Sequence, residues 1–164
     1  MHRIGLKSIM LLILSAGLIQ ATSFDLIRLF GVKPDILLLI TIFAALSFDR
    51  KDVLICSATA GIIKDITSSA VFGSCAVSFL LIGFFINAHQ NKFYREKPLT
   101  QIALSFSAYI FASICVFSLN AIAYRQLGFF YNGVDLMLKG AVYTCLSAPL
   151  VFLAASRILR VKLA

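Results

Sequence analysis

Six stretches of this chain contain no charged residue, and they limit what it can fold into more than any other feature. They cover residues 8–24, 36–48, 53–63, 66–88, 98–124 and 140–156. Over the whole chain, 60% of residues are hydrophobic and 13% are charged, whereas a soluble domain is about 45–50% apolar and about 25% charged. A chain of 164 residues cannot bury that apolar excess in a globular core. We therefore predict an integral membrane protein.

The lengths of these blocks predict an all-α bundle of six transmembrane helices in one polytopic domain over residues 1–164. A hydrocarbon core about 30 Å thick needs about 20 helical residues. The second and third blocks contain only 13 and 11 residues, so we expect these two spans to be short or partly re-entrant. The six spans are predicted at about residues 5–24, 35–48, 53–67, 70–89, 99–123 and 137–157.

The first block has two interpretations. Arg3 and Lys7 precede it, as cations precede the apolar region of a signal peptide. Because the rest of the chain is itself predicted to span the membrane, cleavage would release no soluble domain. A retained first helix is therefore preferred.

The positive charges predict the orientation. With six spans, ten of the 15 Lys and Arg residues lie on the side of both termini and five lie on the other side. Cytoplasmic loops carry such an excess, so both termini are predicted to be cytoplasmic. The expected neighbour of the cytoplasmic cations is anionic membrane lipid. These cations are Arg50, Lys51, Lys92, Arg95 and Lys97. Since no basic stripe interleaved with aromatic residues occurs, no nucleic-acid partner is expected.

No pattern in the sequence predicts catalysis, a metal site or a cofactor. His2 and His89 have no obvious partner, and the single Glu, Glu96, lies between two cations. Motifs for a nucleophile, zinc or a phosphate are missing from the sequence. The four cysteines lie in apolar stretches outside any CxxC spacing and are interpreted as small buried hydrophobic residues. They are Cys56, Cys75, Cys115 and Cys145. We expect a protein that is not an enzyme.

Lys64 and Asp65 follow the third block directly and have two interpretations. Because neighbouring residues point to different sides of a helix, they cannot neutralise each other on one face. The preferred interpretation ends the third helix here and leaves both residues at the outer interface, with the Lys64 side chain reaching towards water. In the alternative, Asp65 faces inward and pairs with another helix or a partner protein.

Short-range signals also predict where helices begin and touch. Pro34-Asp35 suits the first turn of the second helix, where a carboxylate meets the positive end of the helix dipole. Pro98 suits another helix start. Asp52 is the predicted N-cap of the third helix, and Pro149 should kink the last one.

Two pairs of small residues are spaced for close helix packing. They are Ser57 with Gly61 and Ala108 with Ala112. Such pairs let helix backbones approach within a membrane. Packing inside the bundle is the usual role, and an interface with another protein is the alternative.

One region of about 60 residues carries a family resemblance. It contains Pro34-Asp35, an apolar run, the charged turn at 49–52, then Gly61, Asp65 and Gly73. This pattern resembles the rod shape-determining protein MreD family, which has a Pro-Asp or Pro-Asn entry to its second helix, then Gly-x-x-x-Asp and a Ser/Gly-rich stretch ending in Gly. Two departures are Lys64, where the family usually has an apolar residue, and residues 67–70, which replace the more usual Ser-Gly turn.

The resemblance implies a non-enzymatic, multi-pass subunit of the bacterial inner membrane that belongs to the cell-elongation complex and helps organise lateral peptidoglycan synthesis and cell shape. The partners it implies are MreC, the MreB filament, and the elongation synthase with its transpeptidase. It also implies a fold similar to the S subunits of energy-coupling factor vitamin transporters. That similarity supplies the alternative function, a substrate-binding transporter subunit. The motif residues it marks are Pro34, Asp35, Gly61, Asp65 and Gly73.

Overall fold

A computed structural model of the chain describes residues 6–22, 32–68, 71–90, 98–124 and 130–159. These residues form six α-helices and so confirm the predicted all-α architecture. The helices are α1 (Leu6–Thr22), α2 (Ile36–Ser47), α3 (Arg50–Thr67), α4 (Ser74–Ala88), α5 (Pro98–Tyr124) and α6 (Phe130–Leu159). Pro98 is the first residue of α5 and Pro149 lies inside α6.

The central helix of the bundle is α2, which contacts all five other helices. Its sequence holds no charged residue, and ten of its 12 residues are buried. The ring of Phe43 meets the ring of Phe152 on α6 edge-on, with centroids 5.7 Å apart, a favoured aromatic geometry. At 1.5 Å per residue this helix is about 18 Å long. It is short, as predicted.

The third helix is longer than the uncharged block that predicted it. It has 18 residues because the charged turn after α2 is already helical from Arg50. The N-cap is Asp49, and the backbone N–H of Val53 donates to its carbonyl oxygen at 3.0 Å. The prediction that Asp52 is the N-cap is therefore wrong. Asp52 lies in the first turn instead, where the helix dipole also stabilises a carboxylate.

The outer surface of the bundle is apolar. Leu11, Ile122 and Leu150 are each more than 70% exposed. Two helical stretches, Pro98–Ala123 and Asp135–Leu159, are long and apolar enough to cross a membrane, and three shorter apolar helices accompany them. Exposed apolar surface on this scale is unfavourable in water and suits contact with lipid.

The predicted pairs of small residues lie inside the bundle. Ala108 and Ala112 are 6% and 7% exposed and belong to the hydrophobic core. Ser57 and Gly61 are buried on α3. Internal packing is therefore what these residues do, and the idea that Ala108 and Ala112 form a docking face for another protein is wrong for this bundle.

Candidate functional site

Asp35 joins three helices at one end of the bundle. It is the N-cap of α2, and its Oδ1 accepts the backbone N–H of Leu38 at 3.2 Å. Its own backbone N–H donates to Oγ1 of Thr144 on α6 at 3.1 Å. Its second carboxylate oxygen accepts from the ammonium of Lys64 on α3. All of these partners belong to the chain itself, and Asp35 is only 3% exposed.

Pro34 is buried one residue before that cap. The prediction that Pro34-Asp35 forms the first helical turn is therefore wrong in register, since the helix begins at Ile36. The carboxylate still lies at the positive end of the helix dipole, as predicted. It acts there as a cap that hydrogen-bonds a backbone N–H.

The preferred interpretation of the sequence required the Lys64 side chain to reach towards water. In the structure this side chain turns towards Asp35 instead. The Lys64 side chain is 25% exposed and bonds to Asp35, and its ammonium lies 5.4 Å from the centre of the Phe79 ring on α4. Helix α3 continues to Thr67, so Lys64 occupies the last turn rather than a free end. A cation there also interacts favourably with the negative end of the α3 dipole.

Asp65 faces inward, as the alternative interpretation proposed, and is 3% exposed. Its Oδ2 accepts the backbone N–H groups of Gly73 and Ala76, each at 3.0 Å, and its Oδ1 accepts that of Cys75 at 2.9 Å. These are N–H groups at the start of α4, which have no partner within their own helix. Asp65 therefore caps α4 from the preceding helix.

The two motif glycines permit this capping geometry in different ways. Gly73 is the N-cap of α4 and has a φ of 96°, a left-handed conformation that favours glycine. A Cβ on Gly61 would lie 2.4 Å from the Cα of Ala76, so only glycine lets α3 approach α4 this closely. Gly61 and Asp65 are one helical turn apart and hold the same pair of helices together.

A cavity of about 780 Å³ lies beside the Lys64–Asp35 ion pair, at the same end of the bundle. Its lining includes Gln20 of α1, Tyr109 and Asn120 of α5, and Met137 of α6. Asn120 is not free, since its Oδ1 accepts the backbone N–H of Val71 at 3.0 Å. One end of the bundle thus brings together Asp35, Lys64, Asp65 and Gly73. The cavity lies between the helices beside Asp35 and Lys64.

The described part of the chain offers no group of three or more His, Cys, Asp or Glu side chains that could hold a metal ion. The four cysteines are free; three are buried and Cys115 is half-buried. The arrangement at this end provides one ion pair and a set of helix caps, and these groups position helices.

Comparison with known protein families matches residues 1–156 to the family described as rod shape-determining protein MreD. The chain belongs to the MreD family. Searches of curated proteins and of solved structures each found no match. The family match extends the resemblance from about 60 residues to nearly the whole chain. Its members are membrane proteins with a role in determining rod shape.

In this MreD-family chain, the motif residues hold together the N-terminal half of the bundle. Pro34 and the N-cap Asp35 directly precede α2, while Gly61, Asp65 and Gly73 join α3 to α4. Lys64, which departs from the apolar residue expected from the family, is matched by the carboxylate of Asp35. The second departure, residues 67–70, lies partly outside the described residues, which stop at Ser68 and resume at Val71.

Sequence reasoning missed two residues that fasten α2. Thr144 accepts the N–H of Asp35 on one end. At the other end, Nδ2 of Asn87 on α4 donates to the carbonyl oxygens of Ala45 and Phe48, each at 3.0 Å. A lone polar side chain within an apolar helix was the available signal, because such a side chain needs a partner when buried.

Proposed function

We propose that this chain is a non-enzymatic, multi-pass inner-membrane subunit of the rod-shape complex, which binds MreC and helps organise lateral peptidoglycan synthesis. The observation that carries the proposal is the MreD family match over residues 1–156. MreB, the elongation synthase and its transpeptidase are the further partners we propose. The internal use of the motif residues supports a scaffold, because their polar groups are occupied by other parts of the chain.

In this proposal all six helices span the membrane and both termini are cytoplasmic. The exposed apolar surface of the bundle supports it, as does the excess of Lys and Arg on the side of the termini. The end that holds Asp35 and Lys64 would then face away from the cytoplasm. Reporter fusions at Ala164 test this orientation, and a reporter active outside the cytoplasm would contradict it.

Partner helices would contact the outward side chains of the bundle. The small-residue pairs on α3 and α5 are buried inside it and leave no room for another helix. Helix association in lipid depends on packing and polar contacts rather than on the hydrophobic effect. Contacts with MreC would therefore use exposed apolar side chains and the loops.

Purification of the tagged full chain from its native membrane tests the proposal. We expect MreC to co-purify, and we expect depletion of the chain to round rod-shaped cells. The control is a second six-helix membrane protein carrying the same tag at the same level. Recovery of paired ATPases and a tightly bound vitamin, without MreC, would instead favour the transporter alternative. The MreD family match argues against that alternative.

A further inference from the structure

The cavity at the end of the bundle has the size and lining of a small-molecule site. Its volume of about 780 Å³ falls within the range of about 300–1,000 Å³ that is usual for ligand pockets. Its walls include Val32, Ile114, Phe117 and Leu136. Such sites combine mostly apolar walls with a few polar groups that fix the ligand's orientation, and here the polar groups of the lining include both members of the ion pair.

Lys64 brings hydrogen-bond donors to this cavity that the described residues do not use. A lysine ammonium carries three N–H donors. Within the described ranges its one hydrogen-bond acceptor is Oδ2 of Asp35. Each carboxylate oxygen of Asp35 accepts one hydrogen bond, from Lys64 or from the backbone N–H of Leu38. The ammonium of Lys64 therefore keeps donors for an acceptor on a ligand.

The positive charge of Lys64 also faces this cavity. Among the described lining residues, Lys64 lies next to the carboxylate of Asp35, and its ammonium brings a positive charge together with the unused donors. In a mostly apolar enclosure such a charge favours an anion more strongly than it would in water. A hydrogen bond between a charged donor and an anionic oxygen is the strongest kind available there.

We propose that this cavity binds an anionic amphiphile, whose carboxylate or phosphate accepts hydrogen bonds from Lys64 and whose apolar body lies against α5 and α6. This site goes beyond the proposed shape-determining function and does not depend on any protein partner. Both a single-chain anion and an anionic membrane lipid have this chemistry.

The full chain in phosphatidylcholine nanodiscs allows a direct test, because its sequence contains no Trp. Phe117→Trp places one fluorophore in the cavity wall. Leu119→Trp is the matched control, since Leu119 lies two residues further along α5 and is not part of the cavity lining. Dibrominated stearate is the anionic quencher, and its methyl ester is the neutral quencher with the same chain.

We expect stearate to quench the Trp at 117 saturably, at a mole fraction at least about tenfold lower than its ester needs, because a hydrogen bond to a charged group is worth about 1.4 kcal/mol or more. The Trp at 119 should respond to both quenchers alike and without saturation. Lys64→Arg should keep the preference for the acid.

The double variant Asp35→Asn/Lys64→Met removes the cation without leaving a buried, unpaired carboxylate, and it should lose the preference while it remains folded. Equal quenching by acid and ester at position 117, or a preference unchanged in the double variant, would overturn the proposal. Dibrominated phosphatidylglycerol identifies the source. Saturable quenching by it supports a site for the membrane's own anionic lipid, and quenching by stearate alone supports a site for single-chain anions.

Discussion

The ammonium of Lys64, in the last turn of α3, donates to the carboxylate of Asp35 at the N-cap of α2. The two residues are 29 positions apart, and their ion pair ties α3 to α2, the central helix of the bundle. Asp65, the next residue after Lys64, points to the other side of α3 and caps α4. One helical turn of α3 thus fixes the helices on both sides of it.

Breaking the ion pair on one side should destabilise the protein more than removing both charges. Asp35→Asn or Lys64→Met alone leaves a largely buried charge without its partner, at a cost of about 3 kcal/mol. The double variant should lose clearly less than the sum of the two, with a coupling of about 1–3 kcal/mol. The measurement is the free energy of unfolding in mixed micelles for the four chains of the cycle.

The chain contains its own control pair. Asp135 and Lys139 form an i, i+4 ion pair on α6, with side chains 63% and 48% exposed, and exposed pairs of this kind couple by about 0.5 kcal/mol or less. If the Lys64–Asp35 cycle gave a coupling as small as that of the control, the ion pair would not hold α2 and α3 together.

Removal of the Asp65 carboxylate should weaken the start of α4. Asp65→Ala leaves the N–H groups of Gly73, Cys75 and Ala76 without their acceptor, and we expect a loss of about 2 kcal/mol. Asp65→Asn retains one acceptor oxygen and should lose less. Unfolding free energies and protein levels in the membrane measure this order. Asp52→Ala on the same helix, which removes a carboxylate from the first turn, should cost less than about 1 kcal/mol. Wild-type stability of both Asp65 variants would contradict the capping role.

Gly61→Ala should separate α3 from α4. Its Cβ would meet the backbone of Ala76 at 2.4 Å, so we expect a loss of about 1–3 kcal/mol from overpacking. The control is Gly17→Ala on α1, where the added Cβ would meet the Cγ2 atom of Ile63, a side chain, and a side chain moves more easily than a backbone. Because the contact of Gly61 is with backbone atoms, Ala76→Gly should not rescue Gly61→Ala. A full rescue would show that the side chain of Ala76 causes the strain.

The blocks without charge predicted all six helices because charged residues are costly in a bilayer and therefore collect where spans end. That rule could not place the start of α3, since Arg50, Lys51 and Asp52 are helical although they are charged. The same rule led to the wrong position for the Lys64 side chain. A lysine near the end of a span usually reaches towards water, whereas Lys64 bonds to Asp35. The role of Asp65 as a hydrogen-bond acceptor could not be predicted from the sequence for another reason. Its partners are backbone N–H groups, which leave no pattern in the sequence.

Gly73 should tolerate asparagine better than alanine. Its φ of 96° costs an L-residue about 1–2 kcal/mol, and asparagine adopts such angles more readily. Apart from its two chain neighbours, no described residue lies within 4 Å of an added Cβ, so we expect the loss to come from the backbone conformation. The unfolding free energies of Gly73→Ala and Gly73→Asn therefore measure the cost of the left-handed backbone conformation at this position. Equal, negligible losses would mean that the turn before α4 adopts another conformation.

Cysteine labelling of spheroplasts tests which end of the bundle faces outward. Phe72, in the turn between α3 and α4, is 71% exposed, and Lys51 is exposed at the opposite end of α3. Three native cysteines are buried, so replacing the half-buried Cys115 by Ala gives a suitable background. The proposed orientation predicts that a membrane-impermeant maleimide labels Phe72→Cys in intact spheroplasts but labels Lys51→Cys only after permeabilisation. The reverse result would place the ion pair and its cavity on the cytoplasmic side, and labelling of both sites in intact spheroplasts would contradict a spanning α3.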